Sequence, residues 1–123
     1  MTLSEAIVRL DAEKHNTCTR AQKVAWISQL DTMVKTQIQD AYPDAGAICT
    51  AEYTDTTSGD LVLLVAAPFD EMYLRWLEAR IDYASGEYDR YNNAMAMFDA
   101  LWQAYRNHYN ANHIHRQSKF RYL

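Results

Sequence analysis

The chain has 123 residues, of which 49% are hydrophobic and 23% are charged, and its formal net charge is −4. A chain of this length is expected to form one domain with a core of its own. Its longest apolar run, from Leu61 to Pro68, is far shorter than the roughly 18 residues of a membrane-spanning helix. The N-terminus lacks the basic and apolar regions of a signal peptide, and the two cysteines form no C-x-x-C pair. We therefore expect a soluble intracellular protein with free thiols and no membrane contact.

Two capping-box patterns predict where the first two helices begin. Thr2 and Glu5 have the spacing of a reciprocal N-terminal cap, and Thr19 and Gln22 repeat it. Apolar residues then recur every three or four positions, at Leu3, Ile7 and Leu10 in the first helix and at Val24, Ile27, Leu30, Val34, Ile38 and Ala41 in the second. The second helix is expected to end at Tyr42–Pro43, because the residue before a proline disfavours helix.

Residues 47–66 have a different character. Two short runs, 48–53 and 61–65, flank a polar stretch that contains the turn signal Ser58-Gly59. This arrangement predicts a short β-hairpin or an extended projecting arm at about 47–66. The second run is also compatible with a buried helix, since periodicity cannot separate the two. Asp70, just after Pro68, is expected to be the N-cap of the next helix.

Eleven residues of the second half keep an unbroken 3,4 spacing, which we call the seam. The seam consists of Leu74, Leu77, Ile81, Ala84, Tyr88, Tyr91, Met95, Phe98, Trp102, Tyr105 and Tyr109. It predicts one long C-terminal helix over about 70–110, or a helix pair that bends or turns at Ser85-Gly86. A continuous helix would be roughly 60 Å long, so part of the seam would have to face another chain. The predicted fold is mostly α, a helical bundle with the arm at 47–66.

The net charge hides an asymmetry along the chain. Residues 1–99 contain all 16 acidic residues and eight of the 12 basic residues, whereas residues 100–123 contain four basic residues and no acidic one. We expect a single helical domain over 1–112 and a C-terminal docking tail over 113–123, in which basic side chains alternate with apolar ones. A solvated terminus is the alternative, and four basic residues are too few for strong binding to nucleic acid. The predicted partner-binding residues are Ile114, Arg116, Lys119, Phe120, Arg121, Tyr122 and Leu123.

No residue pattern predicts catalysis. His113 and His115 would need further ligands to hold a metal ion, and no Glu is followed three residues later by His. Glu78 and Asp82 share a helical face, which we interpret as solvated rather than catalytic. Three glycines are too few for a phosphate-binding loop. We expect no enzymatic activity, no metal site and no cofactor.

Two segments of the chain carry a family resemblance. Residues 61–73 read LVLLVAAPFDEMY and residues 81–98 read IDYASGEYDRYNNAMAMF. Over roughly residues 60–110 the chain resembles the head–tail connector, or adaptor, family of tailed bacteriophages. The resemblance implies a mostly α subunit of the virion that forms a ring beneath the portal protein, extends the DNA channel and supports a tail or second connector protein. In that family a terminal segment commonly grips the portal, DNA passes without sequence-specific binding, and there are no catalytic residues to carry over.

A different function remains open on the sequence alone. A seam of Tyr, Met, Phe and Trp side chains is also compatible with a helical regulatory or chaperone-like module that forms a homodimer. The two alternatives differ in symmetry. A ring needs contacts between two different surfaces of the subunit, whereas a dimer pairs one surface with itself.

Overall fold

The computed structural model describes residues 1–38 and 52–121, with side chains through residue 112. This part of the chain contains four α-helices: α1 (Leu3–Glu13), α2 (Arg20–Gln37), α3 (Glu71–Ala84) and α4 (Tyr88–Arg121). Helix α3 contacts each of the other three, and the buried apolar side chains of all four helices form one core. The predicted mostly α fold is confirmed, and no strand is present in the described ranges.

The first two helices begin where the capping residues predict. The Thr2 hydroxyl accepts a hydrogen bond from the Glu5 amide at 3.1 Å. At the start of α2 the cap is reciprocal: the Gln22 amide donates to the Thr19 hydroxyl at 3.2 Å, and the Thr19 amide donates to Gln22 Oε1 at 3.0 Å. These bonds satisfy backbone N–H groups that have no partner within the helix. The predicted end of α2 at 42–43 lies outside the described residues.

The second half of the chain is a helix pair and not one continuous helix. Gly86 has a φ of +75°, and the Gly86 amide donates to the Tyr83 carbonyl at 3.2 Å. A left-handed residue of this kind ends α3, because only glycine adopts it without a steric penalty. The prediction of a single rod over 70–110 is therefore wrong, and the prediction of a helix pair is confirmed.

Ring contacts show that α3 and α4 run antiparallel. Trp76 in α3 lies 5.1 Å from Phe98 in α4, measured between ring centroids. Phe69, just before α3, lies 5.8 Å from Tyr105, further along α4. Earlier positions in α3 thus face later positions in α4. The connection is three residues long, 85–87, and both helices turn their apolar faces to the same core.

Most of the seam is therefore covered within a single chain. Its buried members are Leu74, Leu77, Ile81, Phe98, Trp102 and Tyr105, and its half-buried members are Tyr91, Met95 and Tyr109. Only Ala84 and Tyr88, next to the turn, are exposed. The expectation that part of the seam must face another chain depended on a continuous rod, and it no longer follows once the helix folds back.

Residues 52–66 form irregular backbone that lies against the start of α1. The Leu3 amide donates to the Leu61 carbonyl at 2.9 Å, and Val62 forms an isolated antiparallel bridge with Thr2. Leu63 and Val65 are buried in the core. The β-hairpin predicted at 47–66 is not confirmed. Its first residues, 47–51, lie outside the described part of the chain. The described remainder makes turn-type hydrogen bonds within 54–61 and pairs with the N-terminal segment, not with a second strand of its own.

Candidate partner-binding surfaces

Helix α4 continues well past the helix with which it pairs. It has 34 residues, whereas α3 has 14. Phe69, immediately before α3, contacts the rings of Tyr105 and His108, so the beginning of α3 lies beside this part of α4. At 1.5 Å per residue the remaining residues, 109–121, add about 20 Å of helix beyond that contact. The pair therefore consists of a short helix and a long helix, and residues 109–121 form an extension of α4.

The predicted partner-binding residues belong to this extension of α4 and to the two residues that follow it. The backbone of Ile114, Arg116, Lys119, Phe120 and Arg121 is part of α4, while Tyr122 and Leu123 lie outside the described residues. The helix was expected to end near Asn110, and it instead runs to Arg121 without a break at residue 113. The good helix formers in this stretch, such as Arg116 and Lys119, suit a continued helix.

At the opposite end of α4 the turn presents a cluster of tyrosines, which we call the hairpin tip. It comprises Tyr83, the turn residues 85–87, and residues 88–91 at the start of α4. Tyr83 and Tyr88 are 55% and 58% exposed, and their rings contact each other edge to face with centroids 5.7 Å apart. Tyr83 also lies 5.2 Å from Tyr91. Sequence analysis missed Tyr83, which lies off the seam. Its position two residues before the Ser85-Gly86 turn signal could have placed it at the tip of a helix hairpin.

A guanidinium group is part of the same aromatic array. The Arg80 guanidinium carbon lies 4.5 Å from the centre of the Trp76 ring and 5.9 Å from the centre of the Tyr91 ring. These distances are within the range of cation–π attraction. The array therefore runs from the core at Trp76, through Arg80 and Tyr91, to the exposed rings of Tyr83 and Tyr88.

The charged groups at the hairpin tip are Glu87, Asp89 and Arg90. Arg90 Nη1 lies 3.0 Å from Glu87 Oε2 in an exposed ion pair, and Asp89 has no ion pair within the described part of the chain. Residues 86–90 line a shallow depression of about 410 Å³. None of its lining residues is a buried group of the kind used in catalysis, so we interpret the depression as part of a surface for contact with another molecule.

A buried carboxylate elsewhere in the bundle was not anticipated. Asp31 of α2 is completely buried and accepts hydrogen bonds from the hydroxyls of Tyr73, at 2.5 Å, and Tyr53, at 2.6 Å. The Leu64 amide adds a third bond at 3.3 Å. Burial raises the pKa of the Asp31 carboxyl above its usual range, although these hydrogen bonds oppose the effect. Burial and the Asp31 carboxylate likewise raise the pKa of both phenols. Asp31 and Tyr73 are fully buried and Tyr53 is half-buried, so we interpret the cluster as structural.

The carboxylates of Glu78 and Asp82 do not form the solvated face that we expected. Asp82 has only 4% of its side chain exposed, and Lys14 Nζ lies 2.6 Å from its Oδ1. Glu78 Oε1 lies 2.6 Å from Arg75 Nη1. The error arose because α1 covers this face of α3, which the spacing along α3 alone does not reveal. Both acids are neutralised by nearby cations, which suits a structural role.

No group of three or more His, Cys, Asp or Glu side chains is arranged to hold a metal ion within the described residues. Over the same residues, no helix combines the length and apolar character required to cross a membrane. A comparison with protein-family models, curated proteins and solved structures finds no match to this chain.

Proposed function

We propose that this protein is a structural connector of a tailed-bacteriophage virion, a subunit that forms a ring beneath the portal protein and extends the DNA channel. The proposal joins the resemblance of residues 60–110 to connector proteins with a fold that offers surfaces for partners rather than a catalytic site. In this role the subunit contacts identical neighbours, the portal protein, and a tail or second connector protein. DNA passes the ring without sequence-specific contacts.

The observation that carries the proposal is the difference in length between α3 and α4. The first half of α4 packs against α3 within the bundle, and its last residues continue beyond that pairing. The end of α4 also carries the basic residues of a segment without acids, residues 100–123. A long basic helical extension on an otherwise acidic subunit is well suited to join that subunit to another protein, because opposite charges promote encounter and fix orientation.

The charge of the remaining chain is compatible with a DNA conduit. Residues 1–99 carry eight more acidic than basic residues. A wall of the same sign as the phosphate backbone does not retain DNA, so the duplex moves past it freely. The homodimeric alternative needs the seam at the surface, and nine of its eleven side chains are buried or half-buried within one chain. For this reason we favour the ring.

Native mass spectrometry of the full chain tests the proposal, with and without the portal protein encoded in the same genome. We expect the chain to form a closed ring of identical subunits, either alone or on the portal oligomer. A chain truncated after residue 113 is the matched control, and it should not join the complex. A protein that remains monomeric or dimeric and does not associate with the portal would contradict the proposed function.

A further inference from the structure

The exposed tyrosines of the hairpin tip form an aromatic surface whose outer faces are open among the described residues. Tyr83 and Tyr88 hold each other edge to face, and Tyr83 is also held by Tyr91. Aromatic rings that are fixed before binding provide a large contact area at little cost in side-chain freedom. They are also frequent among the residues that dominate protein–protein affinity.

The aromatic array already shows which chemical group it accommodates. Arg80 lies against the rings of Trp76 and Tyr91, on the inner side of the array. Tyr83 and Tyr88 continue the array outward and offer the same kind of negative ring face. A second guanidinium, supplied from outside, would repeat on the outer rings the contact that Arg80 makes on the inner ones.

The fixed charges at the hairpin tip also favour a cation. Glu87 precedes α4 and Asp89 lies in its first turn, so two carboxylates lie at the tip. The last turn of α3, which ends at the same place, contains no basic residue to offset its negative end. Arg90 pairs with Glu87, so the carboxylate of Asp89 remains for an incoming positive group.

A suitable cationic segment exists in the chain, but not within reach of its own hairpin tip. Residues 100–123 include Arg116 and Arg121 and contain no acid. The hairpin tip lies at the start of α4 and these arginines lie at its end, 28 and 33 residues later, which is about 40–50 Å along a helix. The two surfaces can therefore meet only between different copies.

We propose that the hairpin tip of one subunit receives the C-terminal end of α4 from a second copy, with arginine side chains stacked on Tyr83 and Tyr88 beside Asp89. The contact joins two different surfaces, so each subunit can engage two neighbours. Such a heterologous contact generates a closed ring or a filament. The inference rests on the proposed function in naming the neighbour within the ring, but the contact itself is testable without portal protein.

Complementation between two full-length variants tests this contact. The tip variant is Tyr83→Ala with Tyr88→Ala, and the tail variant is Arg116→Ala with Arg121→Ala. By sedimentation velocity, the unchanged protein should self-associate, and each variant alone should dissociate about tenfold more readily because the stacked pair is lost. An equimolar mixture should form a 1:1 dimer and nothing larger, since one intact tip and one intact tail remain. Met97→Ala, which removes another exposed apolar side chain of α4, is the control and should associate normally.

The aromatic and guanidinium requirements are separable by conservative changes. Replacing Tyr83 and Tyr88 by Phe should restore association, and replacing Arg116 and Arg121 by Lys should restore it only in part, because Lys lacks the planar guanidinium. Unchanged self-association of the tip variant, or a mixture that remains monomeric, overturns the inference. Failure of this contact in a protein that still forms a ring on portal would leave the proposed function intact. A working contact in a protein that ignores portal would contradict the proposed function alone.

Discussion

Tyr73 of α3 donates its phenolic hydrogen to Asp31 of α2 at 2.5 Å, in a part of the core closed to solvent. The same hydroxyl accepts a hydrogen bond from the Val65 amide at 2.9 Å. Two helices and the irregular segment 52–66 are therefore joined through two side chains. The arrangement satisfies every partner at once, which is what makes a buried carboxylate tolerable in an apolar core.

Removing this carboxylate should destabilise the fold strongly. Asp31→Ala leaves the hydroxyls of Tyr53 and Tyr73 and the Leu64 amide without their acceptor, and we expect a loss of about 3–5 kcal/mol in the free energy of unfolding. Urea denaturation followed by circular dichroism measures the change. Asp99→Ala, at an exposed position in the middle of α4, is the control and should stay within about 0.5 kcal/mol. Equal effects of the two substitutions would show that the cluster contributes little.

The pH dependence of stability should reveal the same carboxyl. Burial raises the pKa of Asp31 in the folded state, so the folded protein holds this proton more tightly than the unfolded chain does. Its contribution is thus fully present below the ordinary Asp pKa and is lost as the pH rises through the raised value. The free energy of unfolding of the unchanged protein, minus that of Asp31→Asn, should fall with rising pH.

Taking the difference between the two proteins removes the opposite pH dependence that comes from acids whose pKa is lowered in the folded state. The hydrogen bond from Arg9 lowers the pKa of Glu71, despite a smaller opposing effect of burial, and Arg75 assists. Glu71 is present in both proteins and cancels in the difference. Denaturant titrations at several pH values above 3.8 provide the data. A difference that is flat or rises with pH would mean that burial does not raise the pKa of Asp31 in the folded protein.

Gly86 should resist substitution for reasons of backbone geometry alone. Its φ is +75°, and a Cβ built there meets no atom within 4 Å. Gly86→Ala should therefore destabilise the protein by about 1–2 kcal/mol, the cost of a left-handed L-residue. Gly86→Asn should lose less, since Asn tolerates this conformation better. Thermal unfolding compares the two. A neutral Gly86→Ala would indicate a helix that continues through the turn.

Phe98 should be among the most costly seam residues to truncate. It is 3% exposed and lies against Trp76 and Trp102 in the interface between α3 and α4. Phe98→Ala should cost about 3–5 kcal/mol through lost burial and the remaining cavity. Met97→Ala, at the preceding residue, which is half-exposed, should change stability by less than about 0.5 kcal/mol. If both substitutions have similar effects in chemical denaturation, this part of the seam is not a core contact.

Deletion of residues 114–123 should separate folding from assembly. These residues follow the part of α4 that pairs with α3, so the unfolding midpoint should remain nearly unchanged. Incorporation into the particle, followed by quantitative mass spectrometry of purified virions, should be lost. Lys119→Ala is a milder comparison and should reduce assembly mainly at low salt, where exposed charges are least screened. Normal occupancy of the deleted protein would show that the segment is a solvated terminus.

Local signals predicted the beginnings of the helices well. Thr2 and Thr19 act as caps through bonds within four residues, so their sequence spacing is sufficient to identify them. Glu71 and Arg75, four residues apart on α3, form a similarly local ion pair with N and O 3.3 Å apart. The turn at Gly86 was harder to predict. Phase continuity favoured a single helix, whereas the left-handed conformation of Gly86 ends α3 and reverses the chain.

Features that depend on tertiary contacts were not predictable in the same way. Asp31 lies on the apolar stripe of α2, between Ile27 and Val34, and an acid at that position was the available signal for a buried polar cluster. Its phenolic partners come from positions 22 and 42 residues away in sequence. The hairpin tip depends likewise on the reversal at Gly86, which brings Tyr83 beside Tyr88.

The irregular segment 52–66 has a consequence for the cooperativity of unfolding. Although it contains no strand, its backbone is bonded to three helices: the Tyr53 amide to Ser28 of α2, the Val65 amide to Tyr73 of α3, and the Leu61 carbonyl to Leu3 of α1. Loops usually open independently of the domain that carries them. Here, release of the segment would expose Leu63 and Val65 and break contacts with all three helices. The segment and helices α1–α3 should therefore open together, as a single foldon, despite the absence of regular secondary structure in the segment.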